Sequence, residues 1–204
     1  LIFSYYKSLD YSSAQLQAEK FIRQHPDHPD IDYVYYMKGL SSYSIDRGFL
    51  ARLLPSTASE RDISAAKQAF SEFARFIQKF PKSPYAPDAR QRMIYLKNTI
   101  AEHEVHVARY YIKRRAYLAA ANRGSYIVEN FPSTPASADA LAIMAKSYKQ
   151  LGMHDLSVKA EALLAKEYPT FKELDKNGKI REEYTIDAQD QSWLSILSFG
   201  LLGK

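Results

Sequence analysis

The spacing best suited to metal chemistry belongs to two histidines, His103 and His106, which lie between Glu102 and Glu104. An i, i+3 histidine pair on one helix face can hold zinc, which favours nitrogen ligands in a tetrahedral set. The sequence indicates no distant third ligand. The favoured interpretation is therefore two exposed histidines on a charged helix face, and we predict no metal site.

Patterns for covalent or cofactor chemistry are missing from the sequence. The chain has no Cys, no G-x-S-x-G motif and no Gly-rich phosphate loop. Its formal net charge of +5 is spread over Lys and Arg that alternate with Asp and Glu, and no nucleic-acid-binding module is recognisable. We therefore predict no enzymatic activity, no cofactor and no nucleic-acid partner.

Residues suited to protein recognition are more plentiful. The chain has 16 Tyr, and tyrosine buries a large area while it keeps a polar tip. Packing inside the fold is the alternative role for these rings. The basic run Lys113-Arg114-Arg115 is followed by Asn122 and Arg123, which could meet an acidic partner. The alternative there is a solvated helix C-terminus, which cations stabilise.

The elements that must position these residues are helical and repeat along the chain. Four helical stretches end in an aromatic residue or His followed by proline, at Pro26, Pro81, Pro132 and Pro169. Each proline closes a helical pair, because proline disfavours helix in the residue before it. A recurring two-helix unit is typical of a solenoid. We predict an all-α tetratricopeptide-repeat solenoid of about four helix pairs.

The spacing of small and aromatic residues supports a 34-residue repeat. That pattern places small residues at positions 8 and 20, where paired helices cross, an aromatic at 11 and Pro at 32. Three of the prolines fit it, although Ile2 at position 8 of one repeat is larger than the pattern requires, whereas the helix pair before Pro81 matches only with Ala69. Positions 8, 11 and 20 become Ala145, Tyr148 and Ser157; Ala108, Tyr111 and Ala120; and Ile2, Tyr5 and Ala14.

The predicted helices form four pairs. They are 1–8 with 12–24, 31–44 with 63–79, 85–114 with 116–130, and 136–150 with 153–167. A loop as long as residues 45–62 is uncommon unless it has a function. The helix over residues 85–114 would have about eight turns.

The predicted repeat domain covers residues 1–169, and residues 170–204 form a C-terminal extension. A charged, mobile linker over residues 170–190 is expected to lead to an apolar helix at residues 193–202. That helix is too short to cross a bilayer, which needs about 20 apolar residues. It could cap the last repeat, dock on a partner or lie in a membrane interface.

Several segments resemble the BamD (ComL) family, the lipoprotein of the bacterial outer-membrane β-barrel assembly machinery. The most specific is Asp-Tyr-Val-x-Tyr-Met-x-Gly-Leu, which begins at Asp32, and further segments begin at Phe80 and Glu104. The resemblance covers about residues 1–169. It implies five tetratricopeptide repeats, of which this chain has the last four, so we expect a first repeat and a lipidated Cys before Leu1.

Membership would imply a non-enzymatic scaffold at the periplasmic face of the outer membrane, held by a lipid anchor absent from this chain. Its partners would be the last POTRA domain of the barrel subunit BamA, other lipoproteins of the machinery and unfolded outer-membrane protein precursors. By position, the resemblance implies that Arg123 contacts the POTRA domain, together with Asn122, Arg115 and Arg114. It also implies a precursor groove that contains Lys20, Tyr5, Tyr6, Tyr33 and Tyr36.

The alternative is a different periplasmic tetratricopeptide-repeat adaptor, one that coordinates peptidoglycan synthesis with envelope constriction. Such proteins share the Phe-Pro-x-Ser-Pro-Tyr segment that begins at Phe80, but they lack the segment that begins at Asp32. They usually carry an N-terminal coiled coil, so the sequence that precedes Leu1 would distinguish the two classes.

Overall fold

The structure is a computed structural model that describes residues 1–46 and 63–181. These ranges contain eight α-helices and no β-strand. The helices are α1 (Ile2–Lys7), α2 (Tyr11–Gln24), α3 (Ile31–Asp46), α4 (Ser64–Lys79), α5 (Ala86–Lys113), α6 (Tyr117–Asn130), α7 (Ala136–Gln150) and α8 (His154–Glu167). The predicted all-α fold is confirmed, and each helix end lies within two residues of its predicted position.

The helices belong to two compact units, Leu1–His103 and Glu104–Lys204. The first unit contains α1 to α4 and the N-terminal part of α5. The second contains the rest of α5 with α6, α7 and α8. Of the helices in the described ranges, none combines the length and the apolar character needed to span a bilayer.

Small residues lie where the paired helices cross, as the repeat pattern predicts. At position 20, Ala14 and Ala120 are fully buried, and at position 8, Ala108 and Ala145 are 0% and 2% exposed. The last pair shows the crossing directly, because the Ser157 hydroxyl donates a 2.8 Å hydrogen bond to the backbone oxygen of Ala145. Positions 8 and 20 of that repeat therefore touch.

Two glycines permit even closer contact between neighbouring helices. A Cβ atom added to Gly39 would lie 2.8 Å from the ring of Phe73, a fully buried side chain of α4. A Cβ atom added to Gly124 would lie 3.0 Å from the backbone oxygen of Ala140 on α7. Gly39 is thus a small contact residue on the first helix of the second pair. The 34-residue pattern did not identify a small residue in that helix.

The turns inside three of the helix pairs share one backbone geometry. Leu9, Arg115 and Gly152 follow α1, α5 and α7 with φ angles of 64°, 58° and 73°. In each turn the backbone N–H of the left-handed residue donates a hydrogen bond to a carbonyl oxygen near the end of the preceding helix. The N–H of Gly152, for example, donates to the Lys149 oxygen at 3.1 Å. Such left-handed residues satisfy the last helical carbonyls, and a non-glycine residue there is strained by roughly 1–2 kcal/mol.

Polar side chains join α3 to α2 and to α4 in the first unit. Lys38 of α3 and Glu72 of α4 form an ion pair with 3.1 Å between Nζ and Oε1, and their side chains are 10% and 11% exposed. The Gln15 amide of α2 donates a 2.8 Å hydrogen bond to the Ser42 hydroxyl of α3. We call these two contacts the α3 seams.

Residues 170–181 form a turn against α8, where the sequence predicts the start of a mobile linker. The Leu174 side chain is 8% exposed and pairs with Ile180 in an isolated β-bridge. The backbone N–H of Ile180 donates to the Glu161 carboxylate of α8 at 3.2 Å. The first residues of the predicted linker thus contain a hydrogen-bonded turn, while the division of the chain into a repeat domain and a C-terminal extension stays a prediction.

The other unusual segments lie largely outside the described residues. Of the predicted loop at 45–62, the first two residues belong to α3, and residues 47–62 are not described. The predicted apolar helix at 193–202 is likewise outside the described ranges.

Candidate recognition surfaces

A cleft in the first unit brings together two of the predicted groove residues, Lys20 and Tyr33. Its volume is about 460 Å³, and residues of α1, α2 and the start of α3 line it. Lys20 is exposed and Tyr33 is half-buried, so both present a polar group at the surface of the cleft.

Aromatic side chains surround these two residues. Phe21 packs against the rings of His25 and His28, with centroids 5.0 and 5.2 Å apart. Phe3, which also lines the cleft, is 53% exposed. The acidic residue of the lining, Asp30, lies 4.0 Å from His28. The arrangement can receive an apolar or aromatic side chain and offers the Lys20 ammonium to an adjacent carboxylate.

The structure places the other predicted groove residues outside this cleft. Tyr6 is hydrogen-bonded to the hydroxyl of Ser44 at 3.1 Å, and Tyr5 is half-buried on α1. Tyr36 lies on α3 among a different set of side chains. The five residues therefore do not line one common cleft.

Tyr36 belongs to an aromatic cluster that contains an ion pair. Its ring stacks on that of Tyr85, with centroids 4.9 Å apart and an interplanar angle of 15°, and its hydroxyl donates to the Asp88 carboxylate at 2.8 Å. Arg92 donates to both oxygens of that carboxylate, at 2.6 and 3.2 Å, and stacks over Tyr43. The Asp88–Arg92 pair has i, i+4 spacing, so the sequence contained a signal for it.

The electrostatics of the cluster keep its protonation state fixed near neutral pH. Burial and the hydrogen bond to Asp88 raise the pKa of Tyr36 to about 12. Burial alone would raise the pKa of the Asp88 carboxyl, but hydrogen bonds from Arg92 and Tyr36 outweigh it and hold that pKa below its usual value. The cluster thus stabilises the fold and has no group poised to exchange a proton near pH 7.

The predicted partner residues surround the turn between α5 and α6. Arg114, Arg115 and Asn122 are all exposed, and the Arg114 guanidinium lies 5.4 Å from the centroid of the exposed Tyr110 ring. We call Arg114, Arg115 and Asn122 the basic corner. Its side chains are accessible to a partner without any change in the fold.

Arg123 differs from the basic corner because it has an acidic partner within its own unit. Its Nη1 donates a 2.8 Å hydrogen bond to Glu104, whose side chain is 4% exposed, whereas that of Arg123 is 35% exposed. A partner-binding role for Arg123 would need an acidic residue on the partner, whereas the structure shows Arg123 bound to an acidic residue of its own unit. No spacing rule joins these residues on two separate helices, so sequence reasoning missed the role of Glu104.

The two histidines of α5, His103 and His106, are half-buried. Over residues 1–46 and 63–181, no three His, Asp or Glu side chains are grouped so that they could hold a metal ion.

Comparisons with known proteins agree on one family. The model of the YfiO family, described as outer membrane lipoprotein, matches residues 1–163. The outer membrane protein assembly factor BamD of Pasteurella multocida is 37% identical over 177 residues, which are 86% of this chain and 68% of that protein. The Vibrio cholerae protein of the same name is 37% identical over 164 residues, 80% of this chain and 68% of its own length.

A third relative, BamD of Neisseria meningitidis serogroup A, is 38% identical over 167 residues, 82% of this chain and 62% of that protein. The chain thus spans about two thirds of the length of these curated relatives. Their shared name favours the assembly machinery over the peptidoglycan-coordinating adaptor.

Proposed function

Since this chain belongs to the YfiO family of outer membrane lipoproteins, we propose that it is a non-enzymatic assembly factor for outer-membrane proteins. It acts by binding, with one surface for unfolded precursors and another for a partner of the assembly machinery. The proposed location is the periplasmic face of the outer membrane, held there by a lipid anchor.

The observation that carries the proposal is the cleft that contains Lys20 and Tyr33. It offers apolar walls, exposed aromatic rings and one lysine ammonium, which suit an extended segment with an aromatic side chain near a carboxylate. Unfolded barrel precursors supply such segments. Tyr and Phe side chains give a large contact area at low entropic cost, so a modest cleft can retain them.

The basic corner is the proposed contact for the last POTRA domain of BamA. Arg114 and Arg115 lie in the turn after α5 and Asn122 lies on α6; all three are exposed and can form hydrogen bonds with carboxylates of an acidic partner. Arg123 lies next to them, but its guanidinium is engaged by Glu104. Other lipoproteins of the machinery are further proposed partners.

The partner contact is tested by calorimetric titration of the chain with the BamA POTRA domains. Arg115→Glu should weaken binding by about tenfold or more and reduce its salt dependence, because charge reversal at an exposed site removes electrostatic attraction. The matched control is Arg75→Glu, which reverses an exposed arginine of α4. A folded chain that does not bind, or equal affinity in both variants, would contradict this assignment.

The precursor contact is tested with a fluorescent peptide that ends in an aromatic residue and a free carboxylate. Lys20→Glu should lower its affinity, and a C-terminally amidated peptide should bind the native chain more weakly. The control is Lys82→Glu, another exposed lysine of the first unit. Equal affinity for both peptides in all three chains would exclude a role for Lys20 in recognition.

A further inference from the structure

The last helix of the described ranges, α8, leaves large apolar side chains in water. Leu156, Val158 and Leu163 are 42%, 63% and 39% exposed. Single exposed apolar residues are ordinary on a protein surface. These three lie within eight residues of one helix, and one of them also lines a cleft.

That cleft separates α8 from the turn formed by residues 170–181. Its volume is about 710 Å³. Val158, Ala162 and Ala165 line it along the helix, and Ile180 lines it from the turn. These four side chains form an apolar strip in the cleft, and the rest of its lining is mostly polar or charged.

The chain leaves the described region at this same cleft. Arg181 lines it, and its backbone N–H is fixed by a 2.9 Å hydrogen bond to the oxygen of Glu173. Residues 182–192 then precede an apolar segment, residues 193–202. Eleven residues reach up to about 36 Å, whereas the 14 residues of α8 extend about 21 Å. The apolar segment can therefore reach every part of the cleft.

The charges on the two sides are complementary. Lys149, Lys179 and Arg181 line the cleft, while its carboxylates, Glu161 and Asp175, accept backbone N–H groups of the turn. The connecting residues contain four acidic side chains and no Lys or Arg; these are Glu182, Glu183, Asp187 and Asp190. This charge complementarity favours approach of the connecting residues to the basic rim.

We propose that residues 193–202 pack into this cleft within the same chain and close the end of the repeat array. The short connection raises the local concentration of the segment to the order of millimolar, which favours this contact over one with a second copy. Packing covers Val158 together with the apolar side chains of the segment. The inference does not depend on the proposed assembly function.

The single tryptophan of the chain, Trp193, makes the proposal directly measurable. In the full chain without lipid, its fluorescence should be blue-shifted from that of the urea-unfolded chain and protected from iodide. Val158→Asp should remove both effects, because it places a carboxylate in the cleft. The matched control, Leu118→Asp, changes a side chain of α6 that is 54% exposed and should leave both unchanged.

Three results would overturn the proposal. One is a solvent-like emission of Trp193 in the folded native chain, which would leave the membrane interface as the site of the segment. Another is a blue shift that disappears on dilution in the micromolar range, which would indicate a second copy. The third is an unchanged blue shift in Val158→Asp. Circular dichroism of both variants verifies that the fold is intact.

Discussion

Replacement of Arg123 should destabilise the second unit even when no partner is present. Arg123→Ala removes a 2.8 Å charge-assisted hydrogen bond from the buried Glu104 carboxylate. Hydrogen bonds to charged groups contribute about 1.5–3 kcal/mol, and we expect the free energy of unfolding to fall by that amount. The half-exposed position of Arg123 places the expected value in the lower part of the range.

Reversal of the charge at Arg123 should lower the free energy of unfolding by more than Arg123→Ala does. In Arg123→Glu a second carboxylate faces Glu104, and two unit charges 4 Å apart repel each other by about 4 kcal/mol at an effective dielectric constant of 20. Rotation of the new side chain into water reduces that repulsion. A loss of partner binding in Arg123→Glu would therefore report damage to the fold as well as to the surface, which is why Arg115→Glu is the better binding variant.

Urea denaturation followed by circular dichroism measures these effects in a double-mutant cycle. The cycle contains the native chain, Glu104→Gln, Arg123→Ala and the double variant, with Arg75→Ala as an exposed control. We expect a coupling energy of about 1 kcal/mol or more, so Arg123→Ala should cost less in the Glu104→Gln background. Equal cost in both backgrounds would refute the argument that the pair stabilises the fold.

Four further substitutions test the packing, the turns and the aromatic cluster. Gly124→Ala should lower the free energy of unfolding by about 1–3 kcal/mol, because the added Cβ meets the backbone oxygen of Ala140, which cannot move aside; an unchanged urea midpoint would contradict this. Arg115→Gly should raise that free energy by about 0.5–1 kcal/mol, since relief of the left-handed strain exceeds the added entropy of the unfolded chain, whereas Gly152→Ala should lower it by about 1 kcal/mol or more from strain alone. Thermal unfolding of the two turn variants should shift in opposite directions. Asp88→Asn should lower stability at pH 7 by about 0.5–1 kcal/mol. The native pKa of this carboxyl is depressed, so its contribution is present above the unfolded pKa and is lost as pH falls through the folded pKa. The melting temperatures of the native and Asp88→Asn chains should therefore converge as the pH falls through the depressed pKa of the Asp88 carboxyl.

The helix pairs could be predicted because their determinants are local. Pro132 and Pro169 end helices through the backbone of the preceding residue, and Ala120 and Ser157 mark crossings by their size. Such signals do not depend on which other residues are nearby. That is why the helix ends and the crossing positions were predicted closely, while the polar contacts between helices were not.

The recognition surfaces depend on tertiary contacts that no periodicity encodes. Lys20 and Tyr33 share a cleft because α2 packs against α3, and the same packing points Tyr36 toward Asp88 instead. Arg123 was identified through its place in the family pattern, but its pairing with Glu104 follows from the packing of α5 against α6. Residue type and position along the chain identify candidates, and only the fold decides which candidates lie together.

The α3 seams also determine how the first unit responds to mechanical load. If an unfolded precursor is bound in the cleft that contains Lys20 and Tyr33, thermal motion of the unbound part of the precursor would pull on α1, α2 and α3. If α3 slid by one turn, about 5.4 Å, the Lys38–Glu72 pair and the Gln15–Ser42 hydrogen bond would both break. Because these contacts break together, the first unit should resist shear as one body and yield abruptly, not by gradual helix slippage.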